Sequence, residues 1–197
     1  MSTAREVALR AAICAFLALF ATALVALSPG AKAWAAPGGV SAHASSAVAE
    51  PAAPADPAAP PGRAVLAADG HALAPLDAPP AVRRVIAAAN RIRTRPYVWG
   101  GGHGRWWDRG YDCSGAVSFA LHGGELLDSP LPSGPMMSWG AAGLGRWITV
   151  FANAGHAYAV IAGLRWDTSG NTTGTGPRWH TDMADSRGFV ARHPAGF

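Results

Sequence analysis

Cys113 stands in the segment YDCSGAVSFA, between an aspartate and a serine and at the head of a stretch with helical spacing. Four roles are open to such a side chain: a small buried hydrophobe, half of a disulfide, a metal ligand or a nucleophile. The chain holds two cysteines, and the neighbourhood of the other decides among them. Cys14 lies in RAAICAFLALFATALVALSPGAKAWAAPGG, which has the three parts of a secretory signal. Arg5 and Arg10 precede an apolar run from about Ala11 to Leu27, and small residues follow in AKAWAAP. We expect residues 1–36 to be a signal peptide, cleaved after Ala35 or Ala36. An uncleaved anchor helix is the alternative, because the run approaches the length of a membrane span. Under both readings the positive flank keeps the N-terminus inside. The expected location is therefore secreted or extracytoplasmic, with no membrane partner once the signal is removed. The mature chain then carries one cysteine in an oxidising compartment. An internal disulfide and a multi-cysteine zinc site are excluded, leaving an intermolecular or a working thiol.

A thiol becomes a good nucleophile when it ionises, and the first turn of a helix favours the thiolate through its exposed N–H groups and aligned dipoles. Asp112 stands where an N-cap would, which puts Cys113 in that turn. The thiol also needs a base. The chain has seven histidines. His43 and His71 fall in the region read as linker, and His103 sits in a glycine-rich loop. His122 follows Cys113 by nine residues on the same helix, about 13 Å along its axis and out of reach. His193 is near the end. His156 opens the alternating run HAYAVIA, in which His156, Tyr158 and Val160 face one way, and is the best candidate. A histidine base is held in one tautomer by an acceptor on its other ring nitrogen. If Gly163-Leu164 is a two-residue turn, Val160 lies opposite Asp167, and Asp167 shares the face of His156. That ladder leaves the two several residues apart, so a bulge or strong twist is required to join them. Asn171 and His180 are the reserves.

These residues must be positioned by a domain of ordinary size. From Pro37 to about Pro80 the sequence is rich in alanine, proline, glycine and serine, as in EPAAPADPAAPPGRA, and buries too little to order itself. Residues 37–80 are read as a flexible linker and 81–197 as the catalytic domain. In PPAVRRVIAAANRIR, Val82, Val85, Ile86, Ala89 and Ile92 give one apolar helical face, with proline at the entrance. RPYVWGGG reads as a short extended run stopped by glycines, and GHGRWWDRGY as a loop. The cysteine helix follows, ended by Gly123-Gly124. PLPSGPMMSWGAAGLG reads as a long loop. RWITVFANAGHAYAVIAGLRWDTSG reads as three strands joined by two turns, and GFVARHP as a last short strand. One helix bearing the cysteine, followed by antiparallel strands, is an α+β plan. The formal charge of +4 falls by two when residues 1–35 are removed. No basic run or aromatic-interleaved patch remains, so no nucleic-acid partner is expected.

The segments PYVWGG, YDCSGAV, GHAYAVI and RWDTS, in this order, resemble the NlpC-type family of bacterial cell-wall cysteine peptidases over roughly residues 81–170. The resemblance implies a papain-like core with the cysteine helix packed on an antiparallel sheet. It implies hydrolysis of peptide bonds in peptidoglycan stem peptides through a thioester, by a monomer that needs neither metal nor organic cofactor. Cys113 matches the family's nucleophile, His156 its base, Asp167 its third polar residue and Tyr97 an aromatic beside the site. Tyr97, Asp112 and Ser114 form the expected substrate-binding set. A carboxylate at Asp112 could receive the free ammonium of a stem peptide, alongside its capping role. Three departures stand out. GHGRWWDR lengthens the loop before YDC, and RWITVFANAG replaces the usual entry to the histidine strand. Aspartate also occupies a third position that is more often histidine, asparagine or glutamine. Trp106 and Trp107 could wall the cleft or pack as a satellite cluster. Arg105, Arg109 and Arg165 read as solvated surface charges that could pair with substrate carboxylates. The rival functions are an amidase or acyltransferase using the same three residues, and a non-catalytic peptidoglycan-binding domain.

Overall fold

The computed structural model describes residues 61–172 and 174–197. The expected signal segment and the linker up to residue 60 lie outside the described residues. A hairpin of β1 (Val65–Leu66) and β2 (Ala72–Leu73) comes first, then α1 (Pro80–Ile92), α2 (Cys113–Gly123) and the single turn α3 (Ser133–Met136). Six strands follow: β3 (Ala141–Ala142), β4 (Ile148–Ala152), β5 (Ala157–Ile161), β6 (Leu164–Asp167), β7 (Arg178–His180) and β8 (Val190–His193). They form one sheet in the order β3-β8-β4-β5-β6-β7, antiparallel at every pairing. The fold is the α+β plan expected from the sequence, a cysteine-bearing helix on an antiparallel sheet.

Helix α1 starts on Pro80, whose fixed φ suits the first turn and whose missing N–H has no helical acceptor to lose. Val82, Val85, Ile86, Ala89 and Ile92 are all buried along one stripe, the 3.6-residue period made solid. That stripe packs against α2. Helix α2 differs, because every residue from Cys113 to Leu121 is buried. A helix apolar on all sides belongs in the centre of a domain, and α2 lies between α1 and the strands β5 and β6. Trp166 on β6 is fully buried and its indole Nε1–H donates to the carbonyl of Ala116 at 3.1 Å. This bond fixes the height of the cysteine helix on the sheet.

The β5–β6 connection departs from the expected register. Ala162 and Gly163 both have positive φ, 45° and 81°, the backbone of a tight two-residue hairpin turn. The turn therefore lies one residue earlier than Gly163-Leu164. Val160 pairs with Arg165, not Asp167, and Ala159 pairs with Trp166.

The linker boundary also moves. Residues 63–79, assigned by composition to the linker, are packed on the domain. Ala64 N–H donates to Ala162 O at 2.8 Å, and Ala64, Ala72 and Ala78 join the core. Asn90 of α1 bonds the N–H and carbonyl of Ala72 at 3.0 and 2.9 Å. Small apolar residues with few large neighbours of their own are ordered here by borrowing the surface of α1 and the β5–β6 turn. The sequence reading also leaves out α3, β3 and β7.

Candidate active site

Asp112 organises the head of α2. Its Oδ1 accepts from Gly115 N–H at 2.7 Å, the N-cap bond, and its Oδ2 accepts from Gly100 N–H at 3.1 Å. Asp112 N–H in turn donates to Gly101 O at 3.2 Å. A Cβ at Gly115 would collide with that Gly101 carbonyl. The WGGG loop and the DCSG segment are thus interlocked, and the glycine after Ser114 is required by contact. Gly115 and Ala116 N–H groups go to Asp112, leaving those of Cys113 and Ser114 without a helical acceptor. Cys113 opens the helix, 9% exposed, on the wall of a 380 Å³ cavity shared with Tyr97, His103, Ser114, Gly134 and Gly155.

His156 follows Ala154 and Gly155, which line this cavity, in the turn between β4 and β5. Asn153 shapes the turn: its Oδ1 accepts from the N–H of Gly155 at 2.9 Å and of His156 at 2.8 Å. Its own N–H donates to His156 O at 2.9 Å. The imidazole Nε2–H donates to Asp167 Oδ1 at 2.9 Å, which leaves Nδ1 as the nitrogen available to the Cys113 thiol, the group whose pKa His156 lowers. The earlier turn explains how Asp167 arrives. Continuing the observed ladder places His156 opposite Ser169, so Asp167 is its diagonal neighbour on the same face, within reach of long side chains. No bulge is needed.

Arg165, expected to be solvated, is 3% exposed. Its Nη1 donates to Asp167 Oδ2 at 2.6 Å and to Ser169 O at 3.2 Å. Its Nη2 and Nε reach Asp182, at Oδ2 (2.8 Å) and the main-chain oxygen (3.0 Å). Strand alternation could have found it, since Arg165 and Asp167 are two apart and share a face. Ser169 N–H adds a bond to Asp167 Oδ1 at 3.0 Å. Asp167 thus accepts three hydrogen bonds through both oxygens. His180 lies on β7 opposite Arg165, with its side chain mostly covered and no hydrogen bond to His156. Asn171 bonds the carbonyls of Thr168 and Gly176. Neither reserve meets the imidazole.

The electrostatics follow from these contacts. Burial pushes the Asp167 carboxyl up, but the His156 and Ser169 hydrogen bonds and the Arg165 guanidinium outweigh it and hold the group below its ordinary value. The Asp167 bond, then the Cys113 bond, raise His156 to about 9 against the opposing effect of burial. Burial likewise raises the Cys113 thiol, but the His156 bond and the Ala157 N–H outweigh it and bring it below normal. Both shifts run toward the charged forms, thiolate at Cys113 and imidazolium at His156, the pair from which a cysteine could act as nucleophile with an acid beside it.

The expected substrate-binding residues are all on the cavity wall. Tyr97 is partly exposed, and burial together with Cys113 and Asp112 raises its phenol. Ser114 Oγ donates to Asp112 Oδ1 at 3.2 Å. The lengthened loop divides its residues. His103 turns into the cavity, whereas Trp106 stacks on His122 and Trp107 packs between Phe119, Arg91 and Arg95, on a different surface. Arg105 and Arg109 are exposed. Among the described residues, no group of three or more His, Cys, Asp or Glu side chains is placed to hold a metal ion.

No family model matches the chain, and no curated protein matches it. Among solved structures it is similar to an NlpC/P60 family protein from Bacillus cereus ATCC 10987, with 20% identity over 58% of this chain and 40% of that one and a TM-score of 0.44. It is similar to the peptidoglycan hydrolase RipB of Mycobacterium tuberculosis, with 23% identity over 57% of this chain and 64% of that one, TM-score 0.42. It is also similar to RipD of Mycobacterium tuberculosis, described as a non-catalytic NlpC/p60 domain protein adapted to peptidoglycan binding. There the identity is 20% over 58% of this chain and 98% of that one, and the TM-score 0.42. The chain spans less than two thirds of the length of the first two. Two of these three solved structures are described as NlpC/P60 proteins, the family whose motifs the sequence resembles.

Proposed function

We propose that this protein is an extracytoplasmic cysteine peptidase that hydrolyses peptide bonds in peptidoglycan stem peptides. The observation that carries the reading is the placement of Cys113 at the head of α2, on the wall of an open cavity, beside a His156 whose imidazole is held by Asp167 at 2.9 Å. The motif resemblance supplies the substrate class. In the proposed cycle the Cys113 thiolate attacks the scissile carbonyl, and the N–H of Cys113 at the head of α2 helps hold the oxyanion. The tetrahedral intermediate expels the amine, which takes the proton of His156. Neutral His156 then removes a proton from water, and the hydroxide cleaves the thioester to release the carboxylate and regenerate the thiolate. Asp167 keeps the imidazole in one tautomer and stabilises its cationic form.

The test is digestion of purified peptidoglycan, with new termini identified by mass spectrometry. Wild type should release peptide fragments, and Cys113→Ser, folded by circular dichroism, should release none. If wild type is folded but leaves the wall intact and its thiol reacts no faster than a free cysteine near neutral pH, a binding module replaces the peptidase reading.

A further inference from the structure

The loop GHGRWWDRG borders two cavities. His103 lines the one beside Cys113. Trp106 and Trp107 line another, of 430 Å³, together with Arg91 of α1, Phe119 and His122 of α2, and Glu125. The proposed cycle uses none of this second group. Trp107 is 47% exposed, yet it is held: the Arg91 and Arg95 guanidinium groups lie 5.1 and 4.9 Å from its ring centre, and Phe119 tilts against it at 5.9 Å. Trp106 stacks on His122 at 3.8 Å and 5°, and its carbonyl accepts from Tyr111 Oη–H at 2.8 Å. An indole fixed in place and still half uncovered has given up its side-chain freedom without burying its surface.

The polar groups of the lining offer both senses of hydrogen bond. His122 Nδ1 lies 3.0 Å from Leu127 O; a carbonyl only accepts, so Nδ1 carries the proton and Nε2 keeps a lone pair. Arg91 and Arg95 supply N–H donors, and neither has a carboxylate partner among the described residues. Glu125 supplies acceptors and is steadied by Arg84 at 3.1 Å. Two other occupants fit poorly. Helices and a loop form the walls, so a peptide finds no free strand edge to pair with. A docking helix needs a long apolar groove for its i, i+4 anchors, and this cavity is short with a charged rim. A ring ligand with one apolar face and an edge of hydroxyl and amide groups matches it, its C–H bonds meeting the negative faces of the indoles.

We propose that this cavity is a second binding site, which takes an N-acetylated sugar ring of the peptidoglycan glycan strand against Trp106 and Trp107. The choice of ligand rests on the peptidoglycan reading of the protein. The position suits the task. His122 follows Cys113 by nine residues on α2, about 13 Å along the axis, and an extended peptide advances about 3.5 Å per residue. A sugar held at this end of α2 is therefore about four stem residues from the nucleophile. The strand is gripped at one end of the helix while a stem peptide reaches the thiol at the other.

The experiment titrates the full chain carrying Cys113→Ser with a β-1,4-linked N-acetylglucosamine tetramer by calorimetry. The tetramer should bind, and Trp107→Ala in the same background should weaken it about tenfold, the size of one aromatic contact. Arg91→Gln, at an exposed position of α1, should weaken it severalfold, and decides the matter if Trp107→Ala is unfolded by circular dichroism. Trp99→Ala, at the wall of the Cys113 cavity, tells the two sites apart: affinity should follow Trp107 and Arg91, not Trp99. No binding by the folded protein, or affinity lost only in Trp99→Ala, overturns the proposal. Binding of polyphosphate in place of the tetramer makes the surface an anion site and overturns it too. Peptidoglycan digestion by wild type is scored separately. Cleavage without tetramer binding removes this site alone, and tetramer binding without cleavage removes the peptidase reading alone.

Discussion

Two of the three candidate residues come from recognisable surroundings: Cys113 from a capped helix start and His156 from an alternating run. The third, Asp167, was legible as a candidate, but its bond to His156 depends on a turn placed one residue earlier than the sequence suggests, and nothing in AGL marks that shift. Arg165 was misread because an arginine in a short strand is ordinarily solvated, and only the fold shows that Asp182 and Asp167 close over it. Arg165 changes what a substitution at Asp167 should do. Asparagine is a frequent residue at this position in the family the sequence resembles, and the sequence alone makes it a mild replacement. Here both carboxylate oxygens face donors, His156 and Ser169 on one and Arg165 on the other. An amide must turn its NH2 group toward one of them. Asp167→Asn should therefore lower kcat/KM on the order of 10²-fold by loosening the imidazole. The sign of the pH effect is also fixed. An anion at Asp167 raises His156 to about 9, so removing its charge lowers that value. The falling alkaline limb of the pH–rate profile should lie near 9 in wild type and move to lower pH in the variant. A profile whose alkaline limb is unchanged in Asp167→Asn would show that Asp167 does not act through His156.

At the scale of elements, the site exists because three pieces of chain are held at fixed heights. Helix α2 is tied to the WGGG loop by Asp112 and to β6 by the Trp166 bond to Ala116. The β4–β5 turn is shaped by Asn153. Helix and strand periodicity was enough to place α1, α2, β4, β5, β6 and β8. It could not place β7, three residues beyond a glycine-rich turn, or α3, a single turn in a proline-rich loop, because neither is long enough to show a period. The glycine of DCSG belongs to this scale too. Gly115→Ala should drive the Gly101 carbonyl away from the helix and, through the Asp112 main-chain bond, disturb the loop that carries Tyr97. Overpacking of this kind costs about 1–3 kcal/mol. We expect a lowered denaturation midpoint with unchanged m-value, together with a loss of activity larger than the loss of folded protein. Wild-type stability in Gly115→Ala would mean that the two segments are not in the contact described.

For the molecule as a whole, the most consequential difference between composition and structure is where the domain begins. An alanine- and proline-rich stretch reads as linker up to residue 80, yet its last part supplies a hairpin, three core alanines and a set of bonds to distant elements. Arg63 Nη2 and Ala64 N–H hold the two carbonyls of the β5–β6 turn, those of Gly163 and Ala162, at 2.9 and 2.8 Å. Asn90 uses both ends of its amide on Ala72, and its Oδ1 also accepts from Trp179 Nε1–H at 2.9 Å. The N-terminal hairpin thus ties α1, the β5–β6 turn and, through Trp179, β7 into one unit. The β5–β6 turn sets the register that brings Asp167 to His156, so the hairpin bears on the site although it lies outside it. A chain beginning at residue 81 loses at least five hydrogen bonds, each worth about 1 kcal/mol, and exposes the apolar surface of α1 under Ala72 and Ala78. Its melting temperature should fall by at least about 10 °C relative to a chain beginning at residue 61, given the few degrees that each kcal/mol moves a domain of this size. Thermal unfolding of the two proteins side by side, with peptidoglycan release measured at a temperature where both are folded, checks the claim. Equal melting temperatures would return residues 61–80 to the linker.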